Sequence, residues 1–281
     1  MVTTRRVLVI GAGGYVGRHL VDSCAGSPSV ELVSLVRPSS RTVPGALPMA
    51  DAAALDNLLA DQEFDQIVSL PQLTRSDVDW IVDRVDGSRW LVFSSSQLRS
   101  GTRAPGVEAA LAREELVVSR GGVVLAPTMI FGRGGDANLS RIIRQMNRTR
   151  TRFQVGDGSQ LVQPVHVDDV VSLVHAHRSS DVTAGVYPVG GAEAIPAAEL
   201  MLMIAELLGV RLPPIPVPTG ALRMFARFAP VAGLRPDQID RLVEDKTVDD
   251  MITRVVFGWE PVPLAHRVEQ AVGEVLAASS R

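Results

Sequence analysis

The stretch Val7 to Gly17, VLVIGAGGYVG, limits what this chain can fold into more than any other. Four apolar residues, Val7 to Ile10, spell a strand buried on both faces. The glycines after them read as a tight turn into a helix starting near Tyr15, amphipathic through Val16, Leu20 and Val21. Gly11 can take the backbone conformation that the turn demands. Gly14 leaves no side chain between backbone and a pyrophosphate, and Gly17 lets the helix lie close to the strand. The helix N-terminus, with Gly13, Tyr15 and Val16 around it, then turns N–H groups and partial positive charge toward the phosphates. A strand before the glycines and a helix after them is the context in which this motif signals a dinucleotide. A plain tight turn, or a fold of this type that has lost its ligand, is the competing reading.

The rest of the chain supports the first reading. After the first helix, Glu31 to Val36 (ELVSLV) reads as a second strand, followed by Arg37, Pro38, Ser39 and Ser40. An acidic residue at this strand end would bind the ribose hydroxyls of NAD, whereas an arginine with adjacent hydroxyls suits the extra phosphate of NADP, so Arg37, Ser39 and Ser40 favour NADP over NAD. A solvated arginine, stacked on adenine without selecting the cofactor, is the alternative. A weak strand over 46–49 leads to Asp51, which is expected to cap a helix over 52–60. Strands follow at Gln66 to Leu70, ending in Pro71, at Trp90 to Phe93, ending in Ser94, Ser95 and Ser96, and at Gly122 to Leu125. Helices over 77–85 and 108–119 separate them. This alternation implies an α/β fold, a Rossmann-type doubly wound parallel sheet with helices on both faces.

From Gly132 the texture changes to a glycine-rich loop, an amphipathic helix and a turn in FQVGDGSQ. A helix then starts at Pro164 to Asp169, and a late strand at Val186 to Val189. A helix over 197–208 ends at Gly209, Pro213 to Pro218 reads as an extended connector, and helices are expected over 222–228, 236–244 and 264–277. Residues 1–131 are therefore read as the dinucleotide-binding core. Residues 164–190 return to it, and 132–163 with 191–281 form a small C-terminal substrate lobe.

Composition narrows the function classes. With 281 residues, 46% hydrophobic and 21% charged, the chain has the make-up of an ordinary soluble protein. A net charge of −3 with mixed signs leaves no concentrated basic face, which argues against nucleic acid as a partner. No run reaches the length of a membrane span, and MVTTRR enters the first strand without a signal-type apolar segment, so no membrane partner and a cytoplasmic location are expected. Cys24 is the single cysteine, which agrees with a reducing compartment. His175 and His177 lack carboxylate or thiolate partners at ligand spacing, so no metal site is expected.

With these residues in place, the chain resembles the extended short-chain dehydrogenase/reductases, the NAD-dependent epimerase/dehydratase family, over nearly its whole length. The matching motifs are the glycine turn, the serines of LVFSSS, Ala126 to Gly132 (APTMIFG, similar to R-P-x-x-[VI]-Y-G), PVHVDD, and FGWEP near the end. The resemblance implies a cofactor also bordered by Leu70, Pro71, Ser94, Ser95, Pro127 and Thr128, and a small-molecule substrate near Met129. Gln97 and Arg133 are candidates to orient that substrate. Asn138 with Leu139 resembles the family's uridine-contacting pair, with a helix N-cap as the other reading for Asn138. Many relatives pair two helices, so a homodimer is among the expectations.

Members of the family that move hydride use a Tyr and, four residues on, a Lys. The Tyr exchanges a proton with the substrate oxygen, and the Lys lowers its pKa. Setting Glu115 against the glutamate that often follows the lysine puts Val107 and Leu111 at those positions, and a shift of one residue gives Gly106 and Ala110. Tyr15 and Tyr187 are the only tyrosines and Lys246 the only lysine, none of them four apart. The family's arginine before the proline is Ala126 here, and the arginine that grips a sugar nucleotide's diphosphate is Val162, so the resemblance leaves a sugar nucleotide open through Asn138 but does not favour it. Ser96 aligns with the family's active-site hydroxyl. Glu108, nearest in sequence to the missing tyrosine, is a candidate general acid if burial raises its pKa. His166 belongs to a motif that is structural in the family. The expected activity is an oxidoreductase acting on a small carbonyl or sugar-like molecule with NADP(H). A nucleotide-binding sensor or assembly subunit, and a non-redox isomerase, lyase or cyclase, are the alternatives.

Overall fold

Short apolar runs flanked by turn residues form the strands, and the side chains of each strand divide between the sheet's two faces. The computed structural model describes residues 4–37, 43–48, 51–101, 106–177, 182–211, 213–220 and 242–279. Strands β1 (Arg5–Ile10), β2 (Val30–Val36), β3 (Leu47–Pro48), β4 (Gln66–Ser69), β5 (Trp90–Phe93), β6 (Val123–Pro127) and, later in the chain, β11 (Gly185–Val189) make one sheet. Its order is β11-β6-β5-β4-β1-β2-β3, with every neighbouring pair parallel. The chain starts in the middle, runs to one edge, and crosses back between β1 and β4. That is the Rossmann arrangement, with its ligand crevice at the switch point.

Alternation fills both faces. Val7 and Val9 of β1 join Leu91, Phe93, Val123 and Leu125 in one buried cluster, packed against helix α1 (Tyr15–Cys24) and helix α6 (Val167–Ala176). Leu8 and Ile10 face the other way and join Trp90, Val92 and Val124 beneath α2 (Ala52–Asp61), α3 (Asp79–Val82) and α4 (Val107–Ser119). Asp51 caps α2 as expected, its carboxylate accepting from the Ala54 N–H at 2.9 Å.

A third cluster lies outside the sheet. It gathers Leu139, Ile143 and Met146 of α5 (Leu139–Thr149), Leu200 and Ile204 of α7 (Ala197–Leu207), and Val268 and Val272 of the closing helix, α9 (Leu264–Ser279). Short pairs surround it: β7 (Ile130–Phe131) with β10 (Val165–His166), β9 (Leu161–Val162) with β12 (Ile195–Pro196), and β8 (Phe153–Val155) with β13 (Ile215–Val217). Helix α8 (Met251–Phe257) lies against β11, and Phe257 and Trp259 pack in the sheet's own cluster.

The proline-rich connector is extended, as expected, and Ile215–Val217 within it pairs as β13 because its prolines alternate with the residues that bond. Ile215 donates to Arg152 at 2.7 Å and Val217 accepts from Gly156 at 3.2 Å, while Pro216 needs no partner for an N–H that it lacks. The helices expected over 222–228 and over most of 236–244 fall outside the described residues. Among the described residues, no helix is long and apolar enough to cross a membrane.

Candidate functional site

The end of β1 shows what each glycine does. Gly11 has φ +86°, which L side chains rarely adopt. A Cβ on Gly17 would lie 2.5 Å from the Gly11 carbonyl oxygen and 2.7 Å from the Ala12 Cα, so only glycine lets α1 approach β1 this closely. Gly14 is the N-cap of α1, and no side chain caps that end. The helix N-terminus therefore keeps donors and partial positive charge for an anion.

A cavity of about 480 Å³ opens above this turn. Gly11, Gly13, Gly14, Tyr15, Val16 and Gly17 form one wall, Leu70 and Pro71 another, and Arg37 and Arg75 stand at its end. Ser39 and Ser40 lie outside the described residues. Tyr15 donates its hydroxyl to the Gly132 carbonyl at 2.6 Å. Burial first, then the carboxylates of Asp136, Glu274 and Asp168, push its phenol well upward, so Tyr15 is a wall of the cleft and a poor acid.

A second cavity, about 560 Å³, shares Tyr15, Gln72, Ser94, Pro127 and Ile130 with the first. Ser95, Gln97, Thr128, Met129 and Asn138 line it, as do Thr74 and Asp136, which the sequence did not single out. Ser94 donates to the carboxylate of Glu114, which is almost wholly buried on α4 and paired with Arg99. Thr128 donates to the Gln163 carbonyl. Asn138 is the N-cap residue of α5, but its side chain caps nothing. Asp136 does that work: its buried carboxylate accepts from the N–H groups of Asn138 at 2.9 Å and Ser140 at 3.1 Å. The Asn138 amide is left to the cavity.

Three expected residues stand elsewhere. Ser96 lines a separate cavity of about 420 Å³ with Arg99, Ala126 and Lys246, because β5 ends at Phe93 and the chain enters a 3₁₀ turn at Ser96–Arg99. Ser95, not Ser96, borders the cleft. Glu108 is exposed in the first turn of α4 and lines neither cavity of the cleft. Arg133 sits at φ +50° and turns away from the cleft, its guanidinium bonding Asp168 at 2.8 Å and its N–H bonding Glu274.

Helix α4 separates its two glutamates by burial. The carboxylate under the serines is Glu114, whereas Glu115 is exposed. Gly106 has φ +83° ahead of α4, and Ala110 is fully buried. Tyr187 sits in β11 and donates to Thr183, far along the sheet from the glycine turn.

His166, His175 and His177 make their contacts within the fold. His166 Nδ1 accepts from the Asp168 N–H at 3.2 Å, and burial, then the Arg267 charge, lower its pKa to about 4. His177 lies against Gln66 at 2.9 Å and is lowered to about 4, again chiefly by burial. His175 meets Ser23 at 2.8 Å. Among the described residues, no group of His, Cys, Asp and Glu could hold a metal ion.

Residues 7–86 match the model of the NAD dependent epimerase/dehydratase family. No curated protein matches the sequence. Among solved structures, a UDP-glucose 4-epimerase from Thermotoga maritima with UDP-glucose is 17% identical, with 98% of this chain and 100% of that chain covered and a TM-score of 0.73. A dTDP-glucose 4,6-dehydratase from Bacillus anthracis in complex with NAD is 13% identical, with coverage of 99% and 98% and a TM-score of 0.73. A UDP-N-acetylglucosamine 4-epimerase from Methanobrevibacter ruminantium is 14% identical, with coverage of 98% and 99% and a TM-score of 0.76. Identities this low establish a shared fold and nothing finer. Residues 7–86 thus carry the pattern of the NAD dependent epimerase/dehydratase family, and the chain has the fold that solved epimerases and dehydratases adopt.

Proposed function

We propose that the chain holds a nicotinamide dinucleotide in the cleft, NADP(H) ahead of NAD(H), and acts as an oxidoreductase on a small carbonyl-bearing or sugar-like molecule without a Tyr/Lys pair. One observation carries this reading: the uncapped N-terminus of α1 opens into a cavity that continues into a second, hydroxyl-lined one. The solved relatives with NAD and with UDP-glucose support a nicotinamide cofactor and a sugar-related substrate. The turn from Gly11 to Gly17 would hold the pyrophosphate, Leu70 and Pro71 would cover it, and Arg37 would meet the ribose phosphate. Pro127, Thr128 and the serines border the far end.

A bound cofactor supplies the hydride chemistry, and the chain's residues orient the substrate and handle its proton. Ser94 and Ser95, with Glu114 behind Ser94, take the place that the sequence assigned to Ser96 and Glu108. Because Ser94 donates its hydroxyl to Glu114, its oxygen is left to accept from a substrate hydroxyl, and Glu114 with Arg99 holds the Ser94 side chain in place. Gln97, Met129 and Asn138 line the substrate end, and Arg133 has no part in it. The substrate lobe comprises 132–163 and the segments of 191–281 that pack in the third cluster, whereas 164–190 and α8 pack on the sheet.

Fluorescence titration with NADPH and NADH tests the reading. Arg37→Ala is expected to weaken NADPH about tenfold, the value of one charge-assisted hydrogen bond, and NADH much less. Equal losses would mean that Arg37 does not read the phosphate. Stereospecific hydride transfer to a ketone or sugar substrate would establish the enzyme. Tight binding without turnover across a broad panel would instead favour a nucleotide-dependent sensor, a reading that the missing Tyr/Lys pair keeps in play.

A further inference from the structure

Two arginines reach one carboxylate from opposite sides of β1. Arg37 follows β2 and Arg75 follows the loop after β4, and these strands flank β1 in the sheet. Both arginines line the cavity over the glycine turn. Between them, in the 3₁₀ turn Ser76–Val78, stands Asp77. Arg75 donates to its carboxylate twice, from Nε at 2.7 Å and from Nη2, and the nearest Arg37 nitrogen is 3.8 Å away. Among the described residues, Arg37 makes no hydrogen bond of its own.

The charges at this corner do not cancel. Two guanidiniums face one carboxylate, and the hydrogen bond from Arg75 holds that carboxylate below the ordinary range, so it is ionised at neutral pH. All three side chains are about half exposed, so their ion pairs are weak and exchange readily for another anion. A guanidinium carries five donors in a planar fork, of which Asp77 engages two on Arg75. A phosphate ester presents more acceptor oxygens and more charge than a carboxylate and can engage both forks.

We propose that Arg75 reads the ribose phosphate beside Arg37, and that the Asp77 carboxylate is an internal competitor holding the phosphate's place until the cofactor displaces it. This inference rests on the reading of the cleft as an NADP(H) site. It assigns opposite signs to two neighbours. Removing Arg75 takes away donors and weakens phosphate binding, whereas neutralising Asp77 takes away the competitor and strengthens it. If Asp77 instead accepted the ribose hydroxyls of NAD, or merely held Arg75 in position, neutralising it would weaken binding.

The experiment is calorimetric titration of the full chain, and of its Arg75→Gln and Asp77→Asn variants, at low ionic strength, where exposed charges are least screened. The titrants are NADPH and NADH, with adenosine 2′,5′-bisphosphate and 5′-AMP as probes of the adenosine end alone. Arg75→Gln is expected to weaken NADPH and the bisphosphate about tenfold. Asp77→Asn is expected to strengthen both about threefold, in keeping with a half-exposed ion pair. NADH and 5′-AMP should hold their affinities in both variants. Unchanged NADPH affinity in Arg75→Gln, or weaker NADPH binding in Asp77→Asn, overturns the inference and leaves the cleft's reading intact. A parent chain that binds neither dinucleotide overturns that reading itself.

Discussion

The ends of β1 and β5 lie two strands apart in one sheet and have been treated differently. At β1 the glycine turn, the close helix and the uncapped N-terminus are all present. At β5 the serines remain, but the helix that follows, Val107–Ser119, holds no tyrosine and no lysine. The cradle is made of backbone, and a backbone shape persists only if the glycines that permit it stay. Proton chemistry is made of side chains at a few helix positions, and those can change while the fold stands. A buried Glu114 under Ser94 occupies the same corner.

The largest effect expected from this contrast is at Gly14. Gly14→Asp places a carboxylate at the uncapped N-terminus, where it meets the pyrophosphate sterically and by like charge. NADPH affinity should fall by about a hundredfold or more, read by fluorescence titration. Unchanged affinity would remove the cradle from the account.

The wall of the second cavity gives a smaller effect. Asp136→Ala should lower unfolding stability by about 2 kcal/mol in urea melts, since it strands the buried N–H groups that the carboxylate now accepts from. Acid gives the next. His166 and His177 have pKa values of about 4 in the folded chain against an ordinary 6.5. The unfolded chain therefore binds more protons between these values, so stability is whole above about pH 6.5 and is lost as pH falls toward 4. The slope should approach about 1.4 kcal/mol per pH unit for each histidine. His177→Gln should flatten it in thermal melts taken across that range; an unchanged slope would rule out His177. The smallest effect is at Asn138. Its side chain caps nothing, so Asn138→Ala should change stability by less than about 0.5 kcal/mol. A loss near that of Asp136→Ala would restore Asn138 as the cap.

Much of the fold was legible because it rests on local rules. Gly11 and Gly17, the Asp51 cap and the apolar strand runs each declare their role within a few residues of chain. What was hidden depends on distance or on a single turn. Arg75 and Asp136 belong to loops with no motif, and only folding brings them to the cleft. Ser96 was displaced because the strand ends at Phe93 and a 3₁₀ turn begins at Ser96. Arg133 was misplaced because its left-handed backbone aims the side chain at Asp168, a partner 35 positions away. Glu114 and Glu115 are neighbours in sequence, and only packing shows which one is buried.

The most direct measurement is a crystal structure of the full chain grown with NADP⁺. The account predicts the pyrophosphate on the N–H groups at the start of α1, the ribose phosphate between Arg37 and Arg75, and the nicotinamide toward Ser94 and Ser95. A cleft closed by the protein's own side chains, with no dinucleotide along Gly11 to Gly17, would contradict it.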